Sequence, residues 1–288
     1  MPTNIRLMTA EDLDAAMELK DAEGWNQTRD DWDLFLRMAP ASCLVAVEDD
    51  KVVGTVAGIN YTNRVAWIGM MLVNRSYRGQ GISKMLMKAV IQSLNRVASV
   101  KLDATPAGFP VYRQLGFEEE YTLLRMVATS PEVPDDWKTG VSKERVKKLD
   151  VSHMSDIHDL DKEVFGADRT DVLLHNLRSL PPLALGIVDA TGRISGYQMA
   201  RKGTRYVHLG PLVANDDATA KLLLAHSMEK CSDVSWVIDV PKKKQGWVSW
   251  LESCGFHVQR ELFRMYLKGN GHPGDTSRLY AICGPELG

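Results

Sequence analysis

The residues best suited to chemistry form a short glycine-rich segment near position 80. The segment reads Arg78-Gly79-Gln80-Gly81-Ile82-Ser83 and follows the apolar run Met71-Leu72-Val73. Glycines let a ligand approach the backbone closely, and the first turn of a helix presents unpaired N–H groups with a partial positive charge. Arg78 adds a guanidinium fork suited to phosphate oxygens, and residues 74–83 contain no acid. The pattern therefore predicts a strand, a loop and a helix start that bind a pyrophosphate.

Asp103 is a second candidate for chemistry, because it ends a predicted central strand beside the cleft in which the ligand of this loop would lie. At a point where two strands splay apart, a carboxylate can attract an ammonium group or accept its proton, directly or through water. The alternative is that Asp103 caps the turn before Thr105-Pro106-Ala107-Gly108, a role that needs no functional site. Asp239 occupies the equivalent place later in the chain, and both interpretations stay open.

A repeat defines the elements that position these residues. Gly116-Phe117 precedes Arg125-Met126 in the same frame in which Gly255-Phe256 precedes Arg264-Met265, and Asp103 and Asp239 each end a short apolar run upstream. The offset near 140 residues indicates one α/β unit used twice. The first unit covers residues 1–130. The second begins near residue 145; its repeated elements end near residue 268, and we expect its domain to extend to residue 288. The segment Ser130-Pro131-Glu132-Val133-Pro134-Asp135-Asp136 reads as a linker.

Apolar spacing predicts the same order of elements in both units. In the first we expect helices at 10–20, 82–96 and 110–115 and strands at 42–48, 52–60, 65–73, 98–104 and 120–128. In the second we expect matching elements at 183–189, 194–200, 206–213, 218–230, 234–240, 246–253 and 260–267. This alternation predicts, in each unit, a central mixed sheet flanked by helices.

Composition narrows the class of protein. The 288 residues carry a net charge of −2, which gives no electrostatic footprint for nucleic acid. Four cysteines without a CxxC pair, and seven histidines without an HExxH pattern, predict neither a metal site nor a disulfide scaffold. No apolar run approaches the roughly 20 residues that span a bilayer, and the N-terminus lacks the features of a signal peptide. We therefore expect a cytoplasmic protein without a membrane partner.

Two motifs resemble the GNAT family of acyl-CoA N-acyltransferases. The family's loop pattern is Arg or Gln, two residues, Gly, one residue, and Gly or Ala; here it runs from Arg78 to Gly81, with Ser83 at the last position. The second motif is Tyr112-Arg113-Gln114-Leu115-Gly116-Phe117. The two-lobed form, the stretch Glu23-Gly24-Trp25-Asn26 and the ending Cys283-Gly284-Pro285-Glu286-Leu287-Gly288 look like a tandem subgroup with a degenerate C-terminal lobe.

The resemblance implies a donor and roles for specific residues. Acetyl-CoA would be the acyl donor, with Met71, Leu72 and Val73 along its pantetheine arm and Arg78, Gly79, Gln80, Gly81, Ile82 and Ser83 around its pyrophosphate. Tyr112 matches the tyrosine that protonates the departing thiolate in many relatives; the alternative is a packing tyrosine. Glu23, Trp25 and Asn26 lie where the fold lines its acceptor pocket, and an aromatic beside a carboxylate suits an amine. Trp25 can equally be a core anchor.

The second lobe is expected to bind no cofactor. Asp216 and Asp217 stand where phosphates would lie, and carboxylates there satisfy the helix N-terminus and repel a pyrophosphate. The resemblance therefore implies one acetyl-CoA site, transfer of an acetyl group to a primary amine of a small molecule, and a monomer with an internal pseudo-dimer or a weak homodimer. The competing interpretation is a non-catalytic sensor or regulatory module that binds acyl-CoA.

Overall fold

The computed structural model describes residues 3–135, 146–189, 192–231 and 234–288. Asp136 of the predicted linker, position 145 and the turn at 190–191 lie outside the described residues. The strands are β1 Asn4–Leu7, β2 Cys43–Glu48, β3 Lys51–Tyr61, β4 Val65–Val73, β5 Ser99–Ala104, β6 Glu118–Thr129, β7 Val146–Lys148, β8 Leu185–Val188, β9 Ile194–Arg201, β10 Val207–Ala214, β11 Ser235–Pro241, β12 His257–Leu267 and β13 Leu279–Ala281. The helices are α1 Leu13–Ala22, α2 Arg29–Met38, α3 Ile82–Ser93, α4 Phe109–Gln114, α5 Met154–Phe165, α6 Thr170–Ser179, α7 Asp217–Lys230 and α8 Gln245–Ser253.

The strands of both repeats join in one mixed sheet, in the order β1-β2-β3-β4-β5-β12-β6-β11-β10-β9-β8-β7, with β13 paired to β10. The predicted α/β class with two similar units is confirmed. The sequence did not reveal that the repeats exchange their last long strands. β12 of the second repeat pairs with β5 of the first, and β6 of the first pairs with β11 of the second. The two lobes are therefore interlocked through the middle of the sheet.

Helices cover both faces of this sheet because its strands alternate their apolar side chains. Cys43 and Val45 of β2 join the core beneath α1 and α2, whereas Leu44 and Ala46 join the core beneath α3. The amphipathic face of α3 buries its apolar residues against that second core, at Ile82, Leu86, Met87 and Val90. No helix in the described ranges is long and apolar enough to cross a bilayer.

The exchange of strands explains the repeated Asp and Arg residues. Arg264 on β12 lies opposite Asp103 on β5 and donates from Nε and Nη2 to its carboxylate, both at 2.9 Å. Arg125 on β6 bonds Asp239 on β11 in the same bidentate manner at 2.8 Å. Each lobe thus contributes the arginine of one buried pair and the aspartate of the other.

Residues 279–288 connect the lobes a second time. β13 adds to β10 of the second lobe, and the chain then crosses to the first lobe. There Trp67 Nε1 donates to the Pro285 carbonyl at 2.9 Å, and the Tyr61 hydroxyl donates to the Leu287 carbonyl at 3.0 Å. Leu287 is buried in the first lobe's core, so this segment belongs structurally to both halves.

Candidate active site

The site begins where β4 and β5 separate. Their parallel pairing runs from Val65 opposite Ser99 to Trp67 opposite Lys101, while β3 accompanies β4 as far as Val73. Met70 has a φ of +54°, and the register shifts beside it, which marks a bulge. The Thr55 hydroxyl stabilises the bulge by donating to the Met70 carbonyl at 2.8 Å. Past the bulge, the edge of β4 that faces β5 pairs with no described strand, and the expected cleft opens there.

The glycine loop closes one end of this cleft. Gly79 and Gly81 have φ values of +80° and +83°, and a Cβ at either position would contact nothing within 4 Å. The backbone conformation, and not lack of space, is therefore what favours glycine here. Gly81 is the N-cap of α3; it provides no side-chain acceptor, and the first turn contains no acid. The N–H groups of that turn consequently remain available to an anion.

A large cavity extends along the cleft. It is lined by most of the predicted cofactor-binding residues, namely Met71, Leu72, Val73, Arg78, Gly79, Gly81, Ile82 and Ser83. Gln80, the remaining predicted residue, is exposed and does not line the cavity in the described structure. The unpaired β4 edge, the uncapped helix and Arg78 together fit an extended ligand that ends in a pyrophosphate.

Arg78 has an acidic neighbour, contrary to the expectation from residues 74–83. Arg78 Nη2 donates to Glu23 Oε1 at 2.6 Å, and Arg75 Nε donates to the same oxygen at 2.9 Å. The expectation was wrong because the acid comes from the end of α1, 55 residues away in sequence. Exposed ion pairs are weak, worth about 0.2–1 kcal/mol, so a phosphate can compete for Arg78. Glu23 thus faces the loop and the cofactor cavity, and not the acceptor cavity where the sequence placed it.

Tyr112 lies at the junction of two cavities. It projects from α4 and lines both the cofactor cavity and a second, adjoining cavity. Burial raises the pKa of its phenol to about 12, so the hydroxyl is protonated at neutral pH. A Cβ on Gly108 would lie 2.9 Å from the Tyr112 ring, which makes glycine necessary for this ring position. The hydroxyl bonds to no described residue and remains available to a ligand.

The second cavity is the candidate acceptor site. It shares Trp25, Met71, Thr105, Tyr112 and Arg260 with the cofactor cavity. Its remaining wall comes from both lobes and from the 279–288 segment: Gln27, Ile68, Gly69, Met70, Leu102, Asp103, Arg125, Leu262, Pro285 and Glu286. Molecules in the two cavities can therefore meet beside Tyr112. Trp25, which the sequence assigned either to the acceptor pocket or to the core, lines both cavities and also packs against the first lobe's core.

Asp103 reaches the edge of this cavity with its carboxylate already paired. Both of its oxygens accept from Arg264, whose guanidinium stacks over Trp67 at 4.4 Å and donates to the Tyr121 hydroxyl at 2.6 Å. Burial raises the pKa of Asp103, against the opposing effect of Arg264. The symmetric pair of Arg125 and Asp239 has the same geometry, so the structure gives Asp103 a clear structural role.

Asn26 does not lie at the acceptor cavity, where the sequence predicted a contact with substrate. Its Oδ1 accepts from the backbone N–H groups of Arg205 and Tyr206, at 3.0 and 2.9 Å. Its Nδ2 donates to the Tyr206 carbonyl at 3.1 Å. The side chain is buried and joins the first lobe to the β9–β10 loop of the second. The amide is thus occupied between the lobes and does not line the acceptor cavity.

The sequence analysis did not assign three charged residues of the acceptor cavity to a site: Arg125, Arg260 and Glu286. Arg125 was noted there only as part of the repeat. Arg260 reaches the cavity only because β12 is exchanged between the lobes, which no local pattern reveals. Glu286 reaches it because the 279–288 segment crosses between the lobes, where Arg201 Nη2 donates to its Oε1. Its one signal was the stretch at 283–288, which the sequence associated with a subgroup without giving it a role.

The equivalent cleft of the second lobe is filled by the chain itself. β10 and β11 pair from Val207 opposite Trp236 to Leu209 opposite Ile238 and then separate. β13 enters this gap: Ala281 pairs with Leu212, and the Ile282 N–H donates to the Asp239 carbonyl at 3.0 Å. A Cβ on Gly210 would lie 1.9 Å from the Ile282 carbonyl oxygen, so the contact is close. This filling was not expected from the sequence.

The helix start of the second lobe is also closed. Asp216 accepts from the Thr219 N–H at 2.7 Å and caps α7, as predicted. Asp217 accepts from the Tyr280 hydroxyl at 2.6 Å, which ties the helix to the entering segment. Leu251 stands four residues before Gly255, where the first lobe has Tyr112 before Gly116. In the part of the second lobe that the structure describes, the cleft is therefore filled, the helix N-terminus is capped, and Leu251 stands in place of the tyrosine.

Both repeats match family models of known proteins. Residues 8–131 match the family model described as "Acetyltransferase (GNAT) family", and residues 157–281 match the one described as "Acetyltransferase (GNAT) domain". The holothin acyltransferase of Pseudoalteromonas sp. (strain SANK 73390) is 25% identical over 268 residues, covering 93% of this chain and 88% of that protein. The uncharacterized N-acetyltransferase YitH of Bacillus subtilis (strain 168) is 25% identical over 239 residues, covering 80% and 79%.

Two solved structures show the same fold. A putative acetyltransferase from Pyrococcus horikoshii superposes with a TM-score of 0.82 at 24% identity, covering 99% of this chain and 96% of that one. A tandem GNAT protein from the clavulanic acid biosynthesis pathway superposes with a TM-score of 0.63 at 15% identity, covering 94% and 100%. The arrangement of two such units in one chain is therefore shared with other proteins.

Proposed function

This chain belongs to the GNAT acyltransferase family and carries two family domains in tandem, and from this premise we propose that it is an acetyl-CoA-dependent N-acetyltransferase. Its acceptor is a primary amine of a small molecule. The observation that carries the proposal is the position of Tyr112, a protonated and unpaired phenol at the junction of the cofactor cavity and the acceptor cavity.

The first lobe holds the donor. The free edge of β4 at Met71–Val73 binds the pantetheine arm through backbone groups, and the main-chain N–H of Leu72 or Val73 polarises the thioester carbonyl. The pyrophosphate lies at the start of α3, where Arg78 exchanges its bond to Glu23 for a phosphate oxygen. Acetyl-CoA supplies the acetyl group, and the second lobe binds none because β13 and Asp216 occupy the equivalent positions.

Tyr112 acts as the general acid of the transfer. The neutral amine enters the acceptor cavity beside Trp25, and its nitrogen forms a bond to the thioester carbonyl carbon while the bond from that carbon to sulfur breaks. The proton that the nitrogen loses passes to solvent, and solvent returns a proton to Tyr112 after the transfer. The Tyr112 phenol donates its proton to the sulfur that leaves. Because burial keeps the phenol protonated well above neutral pH, the acid form is present throughout the working range of the enzyme.

Release of CoA from acetyl-CoA in the presence of a panel of primary amines tests the proposal. We expect at least one amine to give steady turnover, and Tyr112→Phe to lower kcat by about 10²- to 10⁴-fold with the acetyl-CoA affinity retained. Tyr266→Phe is the matched control, because that exposed hydroxyl bonds Glu118 at 2.9 Å, away from both cavities. Acetyl-CoA binding without turnover of any amine would contradict catalysis and favour the sensor function.

A further inference from the structure

The acceptor cavity contains a guanidinium that no described residue neutralises. Arg260 lies on β12 and lines the cofactor cavity, the acceptor cavity and a third, polar cavity next to them. Its Nε is fully buried without a hydrogen-bond partner, and its side chain forms no ion pair within the described ranges. Burial and the neighbouring Arg125 lower the pKa of Arg260, against the opposing effect of Asp239.

The other charged groups of the acceptor cavity are paired. Asp103 is bonded to Arg264 on both oxygens. Arg125 is bonded to Asp239 through Nε and Nη2. Glu286 accepts from Arg201. The uncompensated charge that these described residues present to the cavity is therefore positive, and it belongs to Arg260.

The polar cavity adds a second arginine beside the first. It is lined by Arg205 and Arg260 together with Glu23, Gly24, Asn26, Arg125, Tyr206, Val237 and Gln259. The carboxylate of Glu23 already accepts from Arg75 and Arg78. Arg205 is exposed, and no described residue forms an ion pair with its guanidinium. A Cβ on Gly24 would lie 2.8 Å from Arg205 Nη1, so this side chain lies against the loop that carries Trp25. The guanidinium groups of Arg205 and Arg260 thus line this cavity, and Arg260 extends the positive charge to the acceptor cavity.

We propose that the acceptor carries an oxyanion, a carboxylate in the simplest case, and that Arg260 binds it. This inference rests on the proposed function. A guanidinium binds a carboxylate through two parallel hydrogen bonds, which would orient the acceptor and pair the buried charge. The same positive charge disfavours protonation of a nearby amine and so favours its nucleophilic form. Arg260 is thus a substrate-binding residue that determines specificity for the acceptor.

Matched acceptors test the inference in the full-length protein. Each amine that is turned over is tested as two compounds, one with a free carboxylate and one with a carboxamide in its place, for example phenylalanine and phenylalanine amide. The value of kcat/KM is measured for both. We expect the acid to be preferred about 10- to 100-fold, the effect of hydrogen bonds to a charged group. Arg260→Met should remove this preference, and Arg260→Lys should retain part of it. Arg64→Met is the control, because Arg64 is an exposed turn arginine outside the three cavities.

Calorimetric titration with acetyl-CoA separates the possible failures. In Arg260→Met we expect the acetyl-CoA affinity to stay within about threefold of wild type. A loss of tenfold or more would assign Arg260 to the donor and overturn the inference. Equal or faster turnover of carboxamides by the wild type would also overturn it while leaving the proposed function intact. Acetyl-CoA binding with no turnover of any amine would instead refute the proposed function itself, and the inference with it.

Discussion

Replacing Asp103 by asparagine separates a structural role of its carboxylate from a catalytic one. The side chain is 0% exposed and accepts two bonds from Arg264, so the change leaves a buried guanidinium without its counter-charge. Breaking a buried pair by removing one partner costs about 3–5 kcal/mol. At roughly 2 °C per kcal/mol for a chain of this size, we expect Tm to fall by about 6–10 °C.

The repeat provides the matched control. Asp239→Asn removes the symmetric carboxylate, which accepts from Arg125 at 2.8 Å and contacts His208 Nε2 at 3.1 Å. Thermal unfolding of the full chain should show a similar loss for both variants, because the two pairs have the same geometry. Turnover per folded molecule should fall by no more than about tenfold in Asp103→Asn. Replacing both partners, Asp103→Leu with Arg264→Met, should recover most of the stability.

The opposite result would refute this structural account. It would consist of a Tm change below about 2 °C in Asp103→Asn, together with a loss of turnover of 10²-fold or more and full activity of Asp239→Asn. That combination would make Asp103 a catalytic residue, the alternative that the sequence left open.

Three further predictions follow from the same contacts. Gly108→Ala should displace the Tyr112 ring, which lies 2.9 Å from the added Cβ, so kcat should fall with the acetyl-CoA affinity retained; unchanged kinetics would contradict the packing argument. Gly81→Ala should weaken acetyl-CoA binding about tenfold by calorimetry, because φ of +83° costs a residue with a Cβ about 1–2 kcal/mol; an unchanged Kd would contradict the role of the loop. Burial lowers the pKa of His208 in the folded chain below its value of about 6.5 in the unfolded chain. As the pH falls below about 6.5, the unfolded chain therefore binds a proton before the folded chain does, and the free energy of unfolding should fall by up to about 1.4 kcal/mol per pH unit. Urea unfolding at pH 7.5 and 5.5 should show a smaller loss in His208→Gln, and an equal loss would exclude His208 as the cause.

Local patterns in the sequence were sufficient to predict those features that lie within one continuous segment of the chain. The glycine loop, the start of α3 and the motif around Tyr112 each occupy one continuous segment, and the structure brings them to one cleft. The repeat of Asp103 and Asp239 was also visible, because matching spacings need no knowledge of the fold.

Contacts between distant segments could not be predicted in this way. The bond between Glu23 and Arg78 depends on how α1 ends beside the loop, and the position of Arg260 depends on the exchange of β12. Asn26 illustrates the same limit, because its partners lie about 180 residues away in the second lobe. A single sequence gives the period of each strand but not its neighbours in the sheet.

Calorimetric titration of the full chain with acetyl-CoA tests the central claim, that one acyl-CoA site exists and lies in the first lobe. We expect one site per chain, weakened about tenfold or more in Arg78→Met. Arg75→Met is the control, since Arg75 shares the partner Glu23 but lines a separate surface cavity, and it should bind as the wild type does. Two sites would contradict the filling of the second cleft by β13, and no binding would contradict the donor site in the first lobe.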